Sequence, residues 1–179
     1  MTAPRSAIDG TAPRYVPHLD FPQYRHQLGQ TPHPRTHPRG HSFGHADVTA
    51  SELLFAGNWQ SIETFLFGGE LYNSTYWWEA HEQWEALWRR EPDRDTNTAS
   101  FLQGLIQLSA AMLQRQAGNR RGFSRLLAKG SERLERVVGR LENGCYMGVD
   151  ARQIISQYHA QLEDRPGVRK PGPILLLIS

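Results

Sequence analysis

The sequence predicts an all-α protein: a compact bundle of about five to six helices, with an extended Pro/His-rich N-terminal arm and a short apolar C-terminal tail. Three observations carry this. Apolar residues recur at helical spacing from Thr49 onward. Glycine, proline and asparagine punctuate that stretch at intervals suited to short helix connections. The first 47 residues differ in kind: they hold seven of the eleven prolines and six of the eight histidines, with no sustained helical period. Proline fixes φ and removes a donor, so this segment should be extended or turned, either disordered or wrapped over the body of the protein. The expected division is an arm over 1–47, a helical domain over 48–165 and a tail over 166–179.

Ser51 is placed to cap a short first helix through Leu53, Leu54 and Phe55, stopped by Gly57. A second helix is expected from Gln60 to Asn73, with Ile62, Phe65, Leu66 and Tyr72 at near-helical spacing. Its Gly68-Gly69 pair weakens it intrinsically and predicts close approach of another helix. Ser74 or Thr75 should cap a third helix, Tyr76 to Arg89. Arg89-Arg90 suit the negative end of its dipole, and Pro92 prevents continuation. The fourth helix, Thr98 to Gln116, is apolar almost all round and belongs in the middle of a bundle. Gly118-Asn119 makes a short turn, so a fifth helix, Arg120 to Leu141, should run antiparallel to the fourth. Its expected buried stripe is Phe123, Leu127, Gly130, Leu134, Val137 and Leu141, and Asn143-Gly144 stops it. A last helix spans Asp150 to Leu162, and no internal repeat or strand-period hairpin is expected.

Composition narrows the function classes. At 179 residues the chain can bury a real core without metal or disulfide staples, and a net charge of +2 does not mark it as a polyanion binder. Cys145 is the single cysteine, so no internal disulfide can form, which fits a cytoplasmic protein; beside Gly144 and Tyr146 it reads as a small packing residue. No apolar stretch follows a basic start, so no secretory signal is expected. The one dense apolar run, Ile174-Leu175-Leu176-Leu177-Ile178, falls far short of the ~20 residues of a spanning helix. It reads as a tail docked into an apolar groove, because left exposed it would promote aggregation.

Chemistry concentrates on the third helix. Positions 77, 81, 84 and 88 share one stripe and read Trp-His-Trp-Trp, with Glu85 beside it and Glu82 and Trp78 flanking. An imidazole and one or two carboxylates therefore converge within an aromatic surface. His81 and Glu85 at i, i+4 can bind one metal ion, or the glutamate can orient and stabilise the charged histidine. The alternative is an ordinary structural hydrogen bond, with the tryptophans as core. Gln103 and Gln107, also i, i+4, lie in an otherwise apolar fourth helix. Buried amides need partners, and His81, Glu82 or Glu85 would supply them; the alternative is that both point to solvent.

These residues resemble a bacterial and archaeal family catalogued as domain-of-unknown-function family 309. The hallmark His-x-x-x-Glu-x-x-Trp/Tyr is matched by His81, Glu85 and Trp88. Gly69-Glu70-Leu71-Tyr72-Asn73, Trp78-Glu79-Ala80-His81-Glu82, Leu102-Gln103-Gly104-Leu105-Ile106-Gln107-Leu108 and the Gly118-Asn119 turn followed by Gly122 also resemble it, over about Trp59 to Leu141. Where the family pattern leads to expect Phe-Asn and then a small residue or Gly, this chain has Tyr72-Asn73-Ser74-Thr75. The resemblance implies a compact helical bundle with a suspected metal site at the motif and no established activity, with Asn73 a polar neighbour of the site. Pro32-His33-Pro34 and Gly40-His41-Ser42 resemble segments of longer members. That implies an arm folded over the bundle, with His33 or His41 able to join His81 and Glu85 in a coordination sphere; the alternative is a surface His/Pro tract.

Arg121, Arg125, Lys129, Arg133, Arg136 and Arg140 follow helical spacing, interrupted by Glu132, Glu135 and Glu142. A solvated face is the better reading of them than a nucleic-acid surface. Two functions compete. The first is a metal-dependent, hydrolase-like enzyme acting on an unknown small molecule. Zinc, iron or manganese would be held by His81, Glu85 and either Glu82 or an arm histidine, His33 or His41. Glu82 or Glu85 would be the general base, and Asn73, Trp78, Trp88, Gln103 and Gln107 would line the site. A metal-free acid–base pair of His81 and Glu85 is a variant of it. The second is a binding or interaction module, homo-oligomerisation included, in which the His/Glu/Gln cluster is structural. No membrane association is expected.

Overall fold

A computed structural model of the chain describes residues 14–93, 96–139 and 141–162. Five helices dominate it: α1 (Glu63–Asn73), α2 (Trp77–Arg90), α3 (Asn97–Gln116), α4 (Arg120–Val138) and α5 (Ala151–Leu162). The bundle is all-α apart from a minimal antiparallel hairpin, β1 (Cys145–Tyr146) with β2 (Val149–Asp150), and a 3-10 turn at Trp59–Ser61. The helices pack in chain order, α1 on α2, α2 on α3, α3 on α4 and α4 on α5. Trp84, Phe65, Phe101, Leu71, Leu105, Leu127 and Leu134 are among the largest wholly buried side chains. The central helix α3 is buried nearly all round, from Thr98 to Leu113, as its apolar sequence requires.

Glycines set the closest approaches. At the α3–α4 crossing Gly104 faces Gly130: a Cβ at Gly104 would lie 2.8 Å from the Leu134 side chain, and one at Gly130 would lie 3.1 Å from the Gly104 carbonyl oxygen. In α1, Gly68 is roofed by the Trp84 indole of α2, so the helix approach expected from Gly68-Gly69 is realised there. The α3–α4 turn places Gly118 at φ +73, and the Asn119 side chain caps α4 by accepting from the Gly122 N–H at 2.9 Å.

Several boundaries depart from the sequence reading. No helix forms at 51–57: the Asn58 side chain accepts from the Phe55 N–H and donates to the Leu53 carbonyl, an alternative to helical pairing. Leu54 is buried while Leu53 and Phe55 are exposed, an alternation of period two rather than 3.6. Neither Ser74 nor Thr75 caps α2. Both are used to end α1: the Tyr76 N–H donates to Leu71 O and the Thr75 N–H to Tyr72 O, a left-handed helix stop with Thr75 at φ +67. Arg25 donates to the Thr75 hydroxyl at 2.6 Å, giving a β-branched residue in that strained region a compensating partner. α3 starts at Asn97 because Thr96 caps it, accepting from the Ala99 N–H. α4 stops at Val138, before Leu141. The hairpin, absent from the sequence reading, turns through Met147 and Gly148, both at positive φ, with Gly148 under the Trp59 ring.

On α4, Arg121, Arg125, Lys129 and Arg136 are exposed, Arg133 is half-buried, and Arg136 pairs with Glu132 at 3.1 Å. Arg140 and the apolar run 174–178 lie outside the described residues. No helix among the described residues is long and apolar enough to cross a membrane.

Gly68→Ala would place a methyl group 2.4 Å from Trp84 Nε1, against a rigid ring rather than a flexible chain end. The expected loss of stability is about 1–3 kcal/mol, read as a lowered urea midpoint; an unchanged midpoint would contradict the α1–α2 contact.

Candidate functional site

Two carboxylates are buried where helices α1 and α2 meet the arm. Glu70 sits inside α1 among Phe65, Leu66, Phe67, Leu71 and Tyr72 and is 0% exposed. A buried carboxylate needs donors, and the arm supplies them. Arg14 Nε donates to Glu70 Oε2 at 2.7 Å, and the backbone N–H groups of Tyr15 and Val16 donate to Oε1. Arg14 also donates to the Leu19 carbonyl and lies over the Phe21 ring.

Glu79, in the first turn of α2, is 3% exposed. Its Oε1 accepts from the His26 backbone N–H and faces His41 Nε2, each at 2.9 Å. Glu79 Oε2 is buried without a hydrogen-bond partner among the described residues. Burial pushes the Glu79 carboxyl above the usual carboxylate range, and the hydrogen bonds from His41 and from backbone N–H groups only partly offset it. His26 is pushed below the ordinary imidazole value, first by burial and then by the charge of His33.

Trp78 is the platform for this cluster. The rings of His26, His33 and His41 stand edge-on around it, with centroids 6.0, 5.6 and 6.0 Å away. The arm reaches this position through tight local turns. Ser42 N–H donates to Pro34 O, and Gly40 is pressed so closely on Pro34 that a Cβ would lie 2.1 Å from its carbonyl oxygen. His41 Nδ1 in turn meets Ser42 Oγ at 2.8 Å. A cavity of about 70 Å³ opens beside these groups, lined by polar Arg35, Ser42, His41, Glu79, Glu82 and Gln83 and by apolar neighbours including Trp78 and Phe67.

One turn along α2 lies a second cluster. His81, Glu82 and Glu85 are each half-buried, and one ligand atom from each lies within 4.8 Å of the others, a grouping able to hold a metal ion. His81 Nε2 is 4.0 Å from Glu85 Oε2. Arginines flank it: Arg35 Nε donates to Glu82 Oε2 at 3.0 Å, and Arg89 donates to Glu85 Oε2 at 2.5 Å. Arg35 also pairs with Asp47, which lies 3.9 Å from Arg89.

The sequence-predicted residues are thus distributed over two places. His81, Glu82 and Glu85 come together. His41 goes to Glu79, and His33 goes to Trp78, its Nδ1 accepting from the Arg35 and Thr36 N–H groups. Neither histidine is part of the three-residue grouping. Trp88 packs on the core and Asn73 is half-buried at the end of α1. Gln103 and Gln107 are half-buried on α3, and no hydrogen bond joins them to His81, Glu82 or Glu85 among the described residues. Sequence reasoning missed Glu70, Glu79, Arg14, Arg35, His26 and Ser42. The available signal was a lone carboxylate inside an apolar run, as with Glu70 in Phe65–Tyr72 and Glu79 between Trp78 and Ala80.

Residues 65–126 match the family model described as Domain of unknown function (DUF309). This is the family that the His81, Glu85 and Trp88 pattern resembles. The DUF309 segment runs from α1 into α4, so it contains Glu70, Glu79, His81, Glu82 and Glu85. The arm that meets Glu70, Glu79 and Glu82 lies outside it. No curated protein matches the chain.

Glu70→Ala would leave Arg14, the buried Val16 N–H and the half-buried Tyr15 N–H without their acceptor. The expected cost is about 2–3 kcal/mol in chemical denaturation, with faster proteolytic cleavage in the arm. Wild-type stability with an equally resistant arm would show that these contacts do not hold it.

Proposed function

We propose that His81, Glu82 and Glu85 form a divalent-metal site and that the protein is a metal-dependent, hydrolase-like enzyme acting on a small molecule. The observation that carries this is the convergence of three ligand atoms within 4.8 Å on one face of α2. One imidazole and two carboxylates make a mixed donor set that suits zinc, iron or manganese. A three-residue protein set leaves coordination positions for water and substrate, and a bound ion would lower the pKa of such a water toward neutrality. Glu82 belongs both to this grouping and to the wall of the adjoining cavity, which gives a small substrate a place beside the site. Arg35 and Arg89 neutralise the two carboxylates when no ion is bound, so they compete with metal.

Elemental analysis of the purified protein tests this reading. The expected result is about one transition-metal ion per chain, lost in His81→Ala, with a lower melting temperature after chelation. Metal-free protein whose stability is indifferent to chelators would overturn it.

The arginine pairs themselves favour a second reading, in which the cluster is structural and the protein is a binding or interaction module. Under that reading Glu85→Gln lowers stability by less than about 1 kcal/mol, through loss of its exposed Arg89 partner, and leaves metal content unchanged.

A further inference from the structure

The inner cluster has a geometry that the metal site does not use. Ser42 Oγ lies 2.8 Å from His41 Nδ1, and His41 Nε2 lies 2.9 Å from Glu79 Oε1. With Glu79 ionised, its Oε1 accepts from both the His26 backbone N–H and His41 Nε2, which leaves Nδ1 to accept from the serine hydroxyl. A serine–histidine contact between chain neighbours is by itself a local hydrogen bond. Here the other end of the imidazole is fixed by a buried carboxylate, and the ring is only 5% exposed. Ser42, His41 and Glu79 line the same cavity, with Arg35 bringing positive charge into it.

We propose that Ser42, His41 and Glu79 form a serine-nucleophile relay that hydrolyses short-chain acyl esters without a metal ion. Nucleophile, base and orienting acid stand in the order that activates a hydroxyl, with the two ring nitrogens exchanged relative to the usual arrangement. Ser42 Oγ attacks the ester carbonyl as His41 Nδ1 takes the hydroxyl proton. The bond from the carbonyl carbon to the alcohol oxygen breaks, and the alcohol leaves with the proton from His41. Water, deprotonated by His41, then cleaves the acyl-Ser42 ester to release the acid and restore the hydroxyl. Arg35 is the cation on the cavity wall, where it also pairs with Glu82 and Asp47. The cavity of about 70 Å³ is small beside the pockets that enclose larger ligands, which is why short-chain acyl esters are the class proposed. Ser42 and His41 are the catalytic residues, and Glu79 is a positioning residue.

The test is reaction of the full-length protein with methanesulfonyl fluoride, followed by intact-mass and peptide-mapping mass spectrometry, alongside turnover of p-nitrophenyl acetate. One methylsulfonyl adduct on Ser42 is expected, absent in Ser42→Ala, whose fold is checked by circular dichroism. His41→Ala should slow labelling about a hundredfold or more. Glu79→Gln should slow it as well, and Glu79→Asp should recover part of the rate. Labelling should persist in the presence of a chelator, so failure of the metal site and failure of this relay are distinguishable. A folded wild type that gains no adduct on Ser42, or labelling unaffected by His41→Ala, would reduce the relay to a structural hydrogen-bond chain. Loss of labelling with the chelator would overturn its independence from metal.

Discussion

The carboxylate of Glu79 is taken out of water at the start of α2, and an ionised carboxylate so placed costs several kcal/mol unless donors replace its hydration. They come from the arm, as the His26 backbone N–H and the His41 ring, while Glu70 draws Arg14 and two further N–H groups to α1. A segment whose proline content denies it regular secondary structure is thereby fixed on the bundle by side-chain acceptors that the bundle provides. Each part serves the other: the arm brings donors to the two carboxylates, and the carboxylates help to anchor the arm.

This latch decides what α2 can present. At its start, Trp78 and Glu79 organise three imidazoles and a serine around a small cavity. One turn later, His81, Glu82 and Glu85 gather at a more open position. Arg35 spans the two, lining the cavity while donating to Glu82. The arm is therefore part of both clusters, and displacing it would dismantle the inner one and free a carboxylate of the outer one.

The helices were legible because their signals are local. Periodicity placed α1 to α5 within a few residues, and Gly68 announced the packing of α1 on α2. Thr75 was misread for a local reason too: a threonine before a helix looks like a cap, whereas here it ends the preceding helix at positive φ with help from Arg25. The outer cluster was legible because His81 and Glu85 are one helical turn apart. The inner cluster was not, because its partners lie 38 residues apart between His41 and Glu79, and 56 between Arg14 and Glu70. Helical spacing says which carboxylates share a face with a histidine. It does not say which carboxylate will be buried, and in this protein burial selects Glu79 as the hub.

Amide hydrogen exchange resolved to single residues tests the latch most directly, at the backbone N–H groups of Tyr15, Val16 and His26. These lie in a segment without regular secondary structure, yet each donates to a buried carboxylate. If the carboxylates hold the arm, all three exchange as slowly as amides in the middle of α2. Exchange at the rate of an unstructured peptide would contradict it.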